Sequence, residues 1–232
     1  MTEFTTWRSL VDGEEISAIL GSVVDNFEPI LYEDEGLTLS DYYQQDTGDM
    51  ARVDDETFDS TKALELPEIG SRAHIRSIDG DQNEDLPRYF KKGEKLSARL
   101  RFEGSDLDGA RYSLGYGQDE SMDDQQDGFI AYLVSGDLEI RKDGDTLDNT
   151  SFTPTAGDEM ELEIEWKEND EHVVTVYDLD DDGNRDGELA FVSTTDGDYS
   201  NNTGVSHGQS HDVVSGESGV DRTLVLDVNI IE

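Results

Sequence analysis

The stretch Met160-Glu161-Leu162-Glu163-Ile164-Glu165-Trp166 decides the fold. Apolar residues occupy every second position, and carboxylates occupy the positions between. A strand turns successive side chains to opposite faces, so this segment offers one face to a core and the other away from it. On a helix the same residues would be scattered around the circumference without an apolar stripe.

The same period recurs outward from this segment. Leu96, Ala98, Leu100 and Phe102 alternate with Ser97, Arg99 and Arg101, and Leu64 and Leu66 flank Glu65. Leu224, Leu226, Val228 and Ile230 alternate with Val225, Asp227 and Asn229. Shorter runs at 71–78, 110–116, 128–134, 137–142, 173–178 and 188–193 fit the same scheme. Ser135-Gly136-Asp137 is predicted to close a hairpin between 128–134 and 137–142, and Asp143-Gly144 and Asp182-Gly183 mark further turns. Many short strands, glycine and aspartate turns and no convincing helix predict an all-β sandwich or barrel. Residues 194–222 form the longest stretch without strand signal, and 117–127 reads as an exposed acidic loop. Residues 23–232 read as one domain.

Residues 1–22 read differently. Trp7, Leu10, Val11, Ile16, Ile19 and Leu20 are apolar but follow no clean period, and Gly13 interrupts the one helical stripe they could form. They read as a docking arm, fit for the chain's own domain, a sister subunit or a larger assembly.

Composition narrows the function classes. The 232 residues include 57 Asp and Glu against 17 Lys and Arg, a net charge of −40, and no cysteine. Such a chain repels phosphate backbones, so nucleic acid is excluded as a partner. The missing thiols exclude disulfides, thiolate metal sites and cysteine nucleophiles. No apolar run reaches the roughly 18–20 residues of a membrane span, and the first residues carry no secretory pattern. Low hydrophobicity with extreme charge also marks disorder, but disordered acidic chains do not sustain this alternation. The acidity reads instead as halophilic adaptation, because at about 1 M salt the Debye length is roughly 3 Å and the carboxylates are screened.

In order along the chain, several segments resemble the concanavalin A-like lectin/glucanase (laminin-G-like) jelly rolls of haloarchaeal and haloviral proteins. Val24-Asp25-Asn26-Phe27-Glu28 is similar to the first strand of such modules, followed by Leu39-Ser40-Asp41-Tyr42-Tyr43 and Asp46-Thr47-Gly48. Lys62 to Leu66, Lys92 to Ala98, Glu161 to Trp166 with Val174 to Asp178, and the closing Leu224 to Val228 resemble later strands. The resemblance covers roughly residues 23–231 and implies an antiparallel two-sheet jelly-roll sandwich whose first and last strands lie side by side. The chain departs from the pattern at Thr203-Gly204-Val205-Ser206-His207-Gly208 and in a long 207–221 insertion.

Candidate sites follow. Glucanases of this kind place acidic residues on alternate strand positions, which draws attention to Glu161, Glu163 and Glu165. A retaining pair needs carboxyls about 5–5.5 Å apart, while backbone rise alone separates Glu161 from Glu165 by about 13 Å. The three read as a solvated structural face, and no catalytic residue is assigned. In similar jelly rolls the first and last strands hold a structural Ca2+, which implicates Asp25, Glu28 and Asp227. Asp178, Asp180, Asp182 and Asp186, with Gly183 at the turn position, match the first half of a calcium loop, but Leu189 stands where the bidentate Glu belongs. His207, His211 and Asp212 lack the helix that would align a metal site, and with Tyr199 they read as loop residues for a glycan or receptor. Tyr42, Tyr43, Tyr89, Phe90, Tyr112 and Tyr116 are further rings for sugar stacking or for the core.

These features lead to an expected function. It is a non-enzymatic virion structural protein of a haloarchaeal virus, a capsid decoration or tail spike. It would be assembled in the host cytoplasm with capsid or tail proteins, homo-oligomeric, displayed on the virion surface and able to touch host glycans. The alternatives are a carbohydrate-binding cell-surface or secreted protein, and a glucanase-like hydrolase.

Overall fold

A computed structural model describes residues 23–25, 43–45, 51–54, 62–67, 72–77, 92–107, 110–116, 129–134, 136–142, 144–196, 210–214 and 220–231. Among the described residues there are fifteen strands and no helix. They are β1 (Val23–Asp25), β2 (Tyr43–Gln45), β3 (Ala51–Asp54), β4 (Lys62–Pro67), β5 (Arg72–Ser77), β6 (Lys95–Gly104), β7 (Arg111–Tyr116) and β8 (Phe129–Val134). There follow β9 (Asp137–Lys142), β10 (Asp145–Ser151), β11 (Glu159–Trp166), β12 (Glu171–Leu179), β13 (Arg185–Thr195), β14 (Ser210–Val214) and β15 (Val220–Ile231).

The large sheet runs β13-β12-β11-β6-β15-β4-β3, with β1 also paired to β15. The small sheet runs β10-β9-β8-β7, and β14-β5-β2 form a third group whose β14 lies against β7. Among the described residues every strand pairing is antiparallel. The two expected faces are present. Leu96, Leu100 and Phe102 of β6, Met160, Leu162 and Ile164 of β11, and Val174 and Val176 of β12 pack against Tyr112, Leu114, Phe129, Leu133, Leu138 and Ile140 of the small sheet. That buried layer is the hydrophobic core, where each fully buried large side chain contributes about 1.5–3 kcal/mol. The first and last strands are side by side, as the resemblance implied, with Val23 opposite Asn229 and Asp25 opposite Val228.

The hairpin signals hold as well. β8 and β9 pair with Val134 opposite Asp137, and Gly136 takes φ +82° in the turn, a conformation that costs glycine least. Gly144 does the same between β9 and β10 at φ +88°.

Three expectations need correction. β10 forms where no alternation was visible: its residues are almost all exposed, and its register with β9 organises it. β14 falls inside 194–222, the stretch read as featureless, and pairs with β5. The third correction concerns β15, where strict alternation put Leu224, Leu226 and Val228 on one face. A bulge between Val225 and Asp227 shifts the phase, because two residues of a bulged strand oppose one on its partner. Val225 and Val228 therefore both enter the core, while Leu224 and Leu226 join Ala63 in a small separate cluster with Val53 packed on it.

Candidate functional site

The face of the large sheet turned away from the core carries its chemistry. Register sets the rows. Arg99 of β6, Glu161 of β11 and Tyr177 of β12 are neighbours, and so are Ser97, Glu163, Thr175 and, on β13, Phe191. Arg185, at the start of β13, reaches back across β12 to β11. Its Nε donates to Glu161 Oε2 at 2.8 Å and its Nη2 to Glu161 Oε1 at 2.9 Å, while Nη2 also meets Glu163. Its guanidinium lies 3.9 Å from the Tyr177 ring centroid, a stacked cation–π contact. Lys95 Nζ donates to Glu163 Oε1 at 3.1 Å and lies 3.5 Å from Glu165.

Further along the same face Arg101 bonds Glu159 at 2.9 Å, and Arg222 bridges Glu103 and Glu65, each at 2.6 Å. The bulge in β15 brings Asp227 beside Arg99, whose Nε donates to it at 2.7 Å. The result is a lattice of alternating charges.

This lattice revises the expectation of a solvated glutamate face. Glu163 is 2% exposed, Glu161 8% and Asp227 3%. Burial pushes the Glu161 carboxyl up, and the Arg185 guanidinium outweighs it and holds the pKa below the usual carboxylate range. The same contacts raise Arg185 further above its already high value. A carboxylate fixed as an anion in a two-pronged guanidinium grip is a poor proton donor and is not free to attack an anomeric carbon.

The calcium candidates fare unevenly. Asp25 lies in β1 next to the β15 bulge, Glu28 is outside the described residues, and the Asp227 carboxylate is engaged by Arg99. In the β12–β13 turn, Asp180 Oδ1 accepts the backbone N–H of Asp182 at 3.0 Å and of Asn184 at 2.8 Å. Those bonds, the Asn184 N–H first, hold its pKa below the usual value. Asp178 is half-buried on β12, while Asp182 and Asp186 are exposed. Among the described residues no three Asp, Glu or His side chains converge as a metal-ligand group. The described donors do not fit a calcium ion.

The remaining candidates divide. Trp7, Leu10, Val11, Ile16, Ile19, Leu20, Tyr199 and His207 lie outside the described residues. His211 belongs to β14, opposite Ile75 of β5. Tyr112 is fully buried in the core, where burial, with the Asp227 charge adding to it, keeps its phenol protonated.

Two groups escaped the sequence reading. His172 of β12 is buried between the layers, stacked on Phe129 with ring centroids 3.6 Å apart and on Trp166 at 5.7 Å. Its Nε2 lies 3.2 Å from the Asp196 carbonyl oxygen, and burial lowers its pKa to about 4. Its place two residues before Val174 and four before Val176 was the available signal, since the period of two puts it on their core face. Phe191 and Leu189 of β13 are the other group, 45% and 49% exposed. They alternate with buried Ala190 and Val192 and so project from the outer face.

No family profile matches the sequence, and no curated protein matches it. Solved structures do match in shape. A legume lectin-like domain from Entamoeba histolytica superposes with a TM-score of 0.57 at 10% identity, covering 86% of this chain and 93% of that one. The exoplasmic/lumenal domain of VIP36, solved in a Ca2+/Man3GlcNAc-bound form, gives 0.55 at 11% identity over 90% and 87%. Lectin UEA-II, complexed with galactose, gives 0.51 at 10% identity over 81% and 90%. At these identities the likeness speaks for architecture. This chain has the legume-lectin-like, concanavalin A-like jelly-roll fold.

Proposed function

We propose that this protein is a non-enzymatic, lectin-like glycan-binding protein. The observation that carries the reading is the shared sandwich. Most of this chain and most of a legume lectin-like domain follow one architecture. The ionic lattice supports the non-enzymatic half. Glu161 and Glu163, the strand glutamates on which a hydrolytic reading would draw, are paired with Arg185 and Lys95. The charge of −40 narrows the ligand to neutral or cationic sugars.

The test is an array of neutral and acidic glycans probed with the full chain in molar KCl. Binding to a defined set of neutral glycans supports the reading, and an array blank at every glycan overturns it. The virion-surface role expected from the sequence rests on the sandwich, the absence of a secretory pattern and the arm at residues 1–22, and self-association follows from that role; the described strands do not favour it over glycan binding. Copurification with virus particles is the measurement for that role.

A further inference from the structure

We propose that Phe191 is a stacking platform for the apolar face of a neutral pyranose ring, placing a sugar subsite on the outer face of the large sheet at its β13 edge. This inference rests on the glycan-binding reading and names where one ring would sit.

Large apolar side chains in a sandwich belong to the core, yet Phe191 leaves 45% of its surface in water, and Leu189 in the adjoining bulge leaves 49%. Both sit on the last strand of the large sheet, so no further strand of that sheet stands beside them. An exposed aromatic face with ordered polar groups around it is the chemistry that recognises a sugar. The C–H face stacks on the ring, and the hydroxyls meet fixed donors and acceptors.

Those polar groups are present and held in place. Ser193, two positions along the same strand, and Tyr177, one row over, are half-buried, while Thr175, opposite Phe191 in register, is itself buried beneath them. Arg185 is locked over Tyr177 by Glu161 and Glu163, so its guanidinium is presented in one orientation. Preorganised groups of this kind lose little freedom when a ligand docks. Charge selects the ligand class. The Arg185 cation is balanced by Glu161 and Glu163, and Asp186 and Glu188 nearby are exposed. Uronic and sialic acids would meet net negative potential here, whereas a neutral hexose would not.

The experiment repeats the glycan array with full-length Phe191→Ala, Phe191→Tyr and, as a surface control, Leu147→Ala on β10. Binding to neutral glycans is expected to fall about fivefold or more for Phe191→Ala, and to persist for Phe191→Tyr and Leu147→Ala. Equal binding by Phe191→Ala and the parent overturns the platform and leaves the glycan reading standing. An array blank for the parent overturns both. Preferential capture of acidic glycans at a site lost in Phe191→Ala overturns the proposed ligand class. Because Phe191 is exposed, the unfolding midpoint of Phe191→Ala should match the parent, and a large drop would assign the ring to packing instead.

Discussion

Arg185 holds Glu161 through two parallel hydrogen bonds, Nε to Oε2 at 2.8 Å and Nη2 to Oε1 at 2.9 Å, reaching across β12 to do so. A planar fork matched to a carboxylate is a geometry that lysine cannot reproduce. Removing one partner of a buried pair strands the other, and that loss exceeds what the pair contributes by being present.

Arg185→Ala is therefore expected to destabilise the fold by about 2 kcal/mol, less than for a fully buried pair because the arginine is partly exposed. Urea denaturation in molar KCl reads the change. Adding Glu161→Gln and Glu163→Gln to the Arg185→Ala background should restore much of the loss, since no buried charge is then left unpaired. A loss below about 0.5 kcal/mol in the single variant would show that these carboxylates are solvated after all.

His172 makes stability depend on pH. Its folded pKa of about 4 lies below the ordinary 6.5, so the unfolded chain takes up a proton first as pH falls. The contribution of neutral His172 is whole above about pH 6.5 and declines steadily towards pH 4, by an amount on the order of 3 kcal/mol. Carboxylates titrate in part of the same window, so the reading is the difference from His172→Phe, which keeps an aromatic ring between Phe129 and Trp166. The gap between the stability curves of parent and variant should be constant above about pH 6.5 and change below it, the parent losing more as pH falls. Parallel curves would place His172 in contact with water.

The sequence made the central strands legible because burial on one face writes itself as a period of two. It did so for β6 and β11, and it also put Glu161, Glu163 and Glu165 on the correct face. It could not show that this face is ion-paired rather than wet. Asp227 and its partner Arg99 are 128 residues apart, and Arg185 reaches Glu161 across an intervening strand. The inserted residue in β15 was equally invisible, since a bulge is a property of the pair of strands and not of either one. β10 has no buried face to record, and so no pattern. His172 is legible in the sequence, because it keeps step with Val174 and Val176 on the core face of β12.

The β12–β13 turn is closed by Asp180, whose carboxylate accepts the backbone N–H groups of Asp182 and Asn184 and so holds the turn in one conformation. Asp180→Ala should lower the melting temperature, Asp180→Asn should retain part of the stability through its remaining carbonyl, and Asp181→Ala should change little. Calcium titrated into the parent should leave the melting temperature unchanged. A calcium-dependent rise that disappears in Asp180→Ala would restore the metal reading of this loop.

Net charge sets the response to salt. At −40 the folded chain repels itself at long range, and molar KCl shortens the Debye length from about 10 Å at 0.1 M to about 3 Å. The buried pairs at Glu161, Glu163 and Asp227 are shielded from that screening, so salt removes repulsion faster than it removes attraction. The melting temperature should climb from dilute buffer to molar KCl. A value independent of salt would refute the halophilic reading of the composition.

Binding without chemistry is the centre of the account, and one calorimetric titration tests it. The full chain in molar KCl is titrated with the neutral glycan that binds best on the array, and the glycan is recovered and sized afterwards. The account predicts saturable heat and an intact glycan, with Glu161→Gln giving the same glycan product as the parent. Absence of binding heat, or a shortened glycan whose cleavage vanishes in Glu161→Gln, would contradict it.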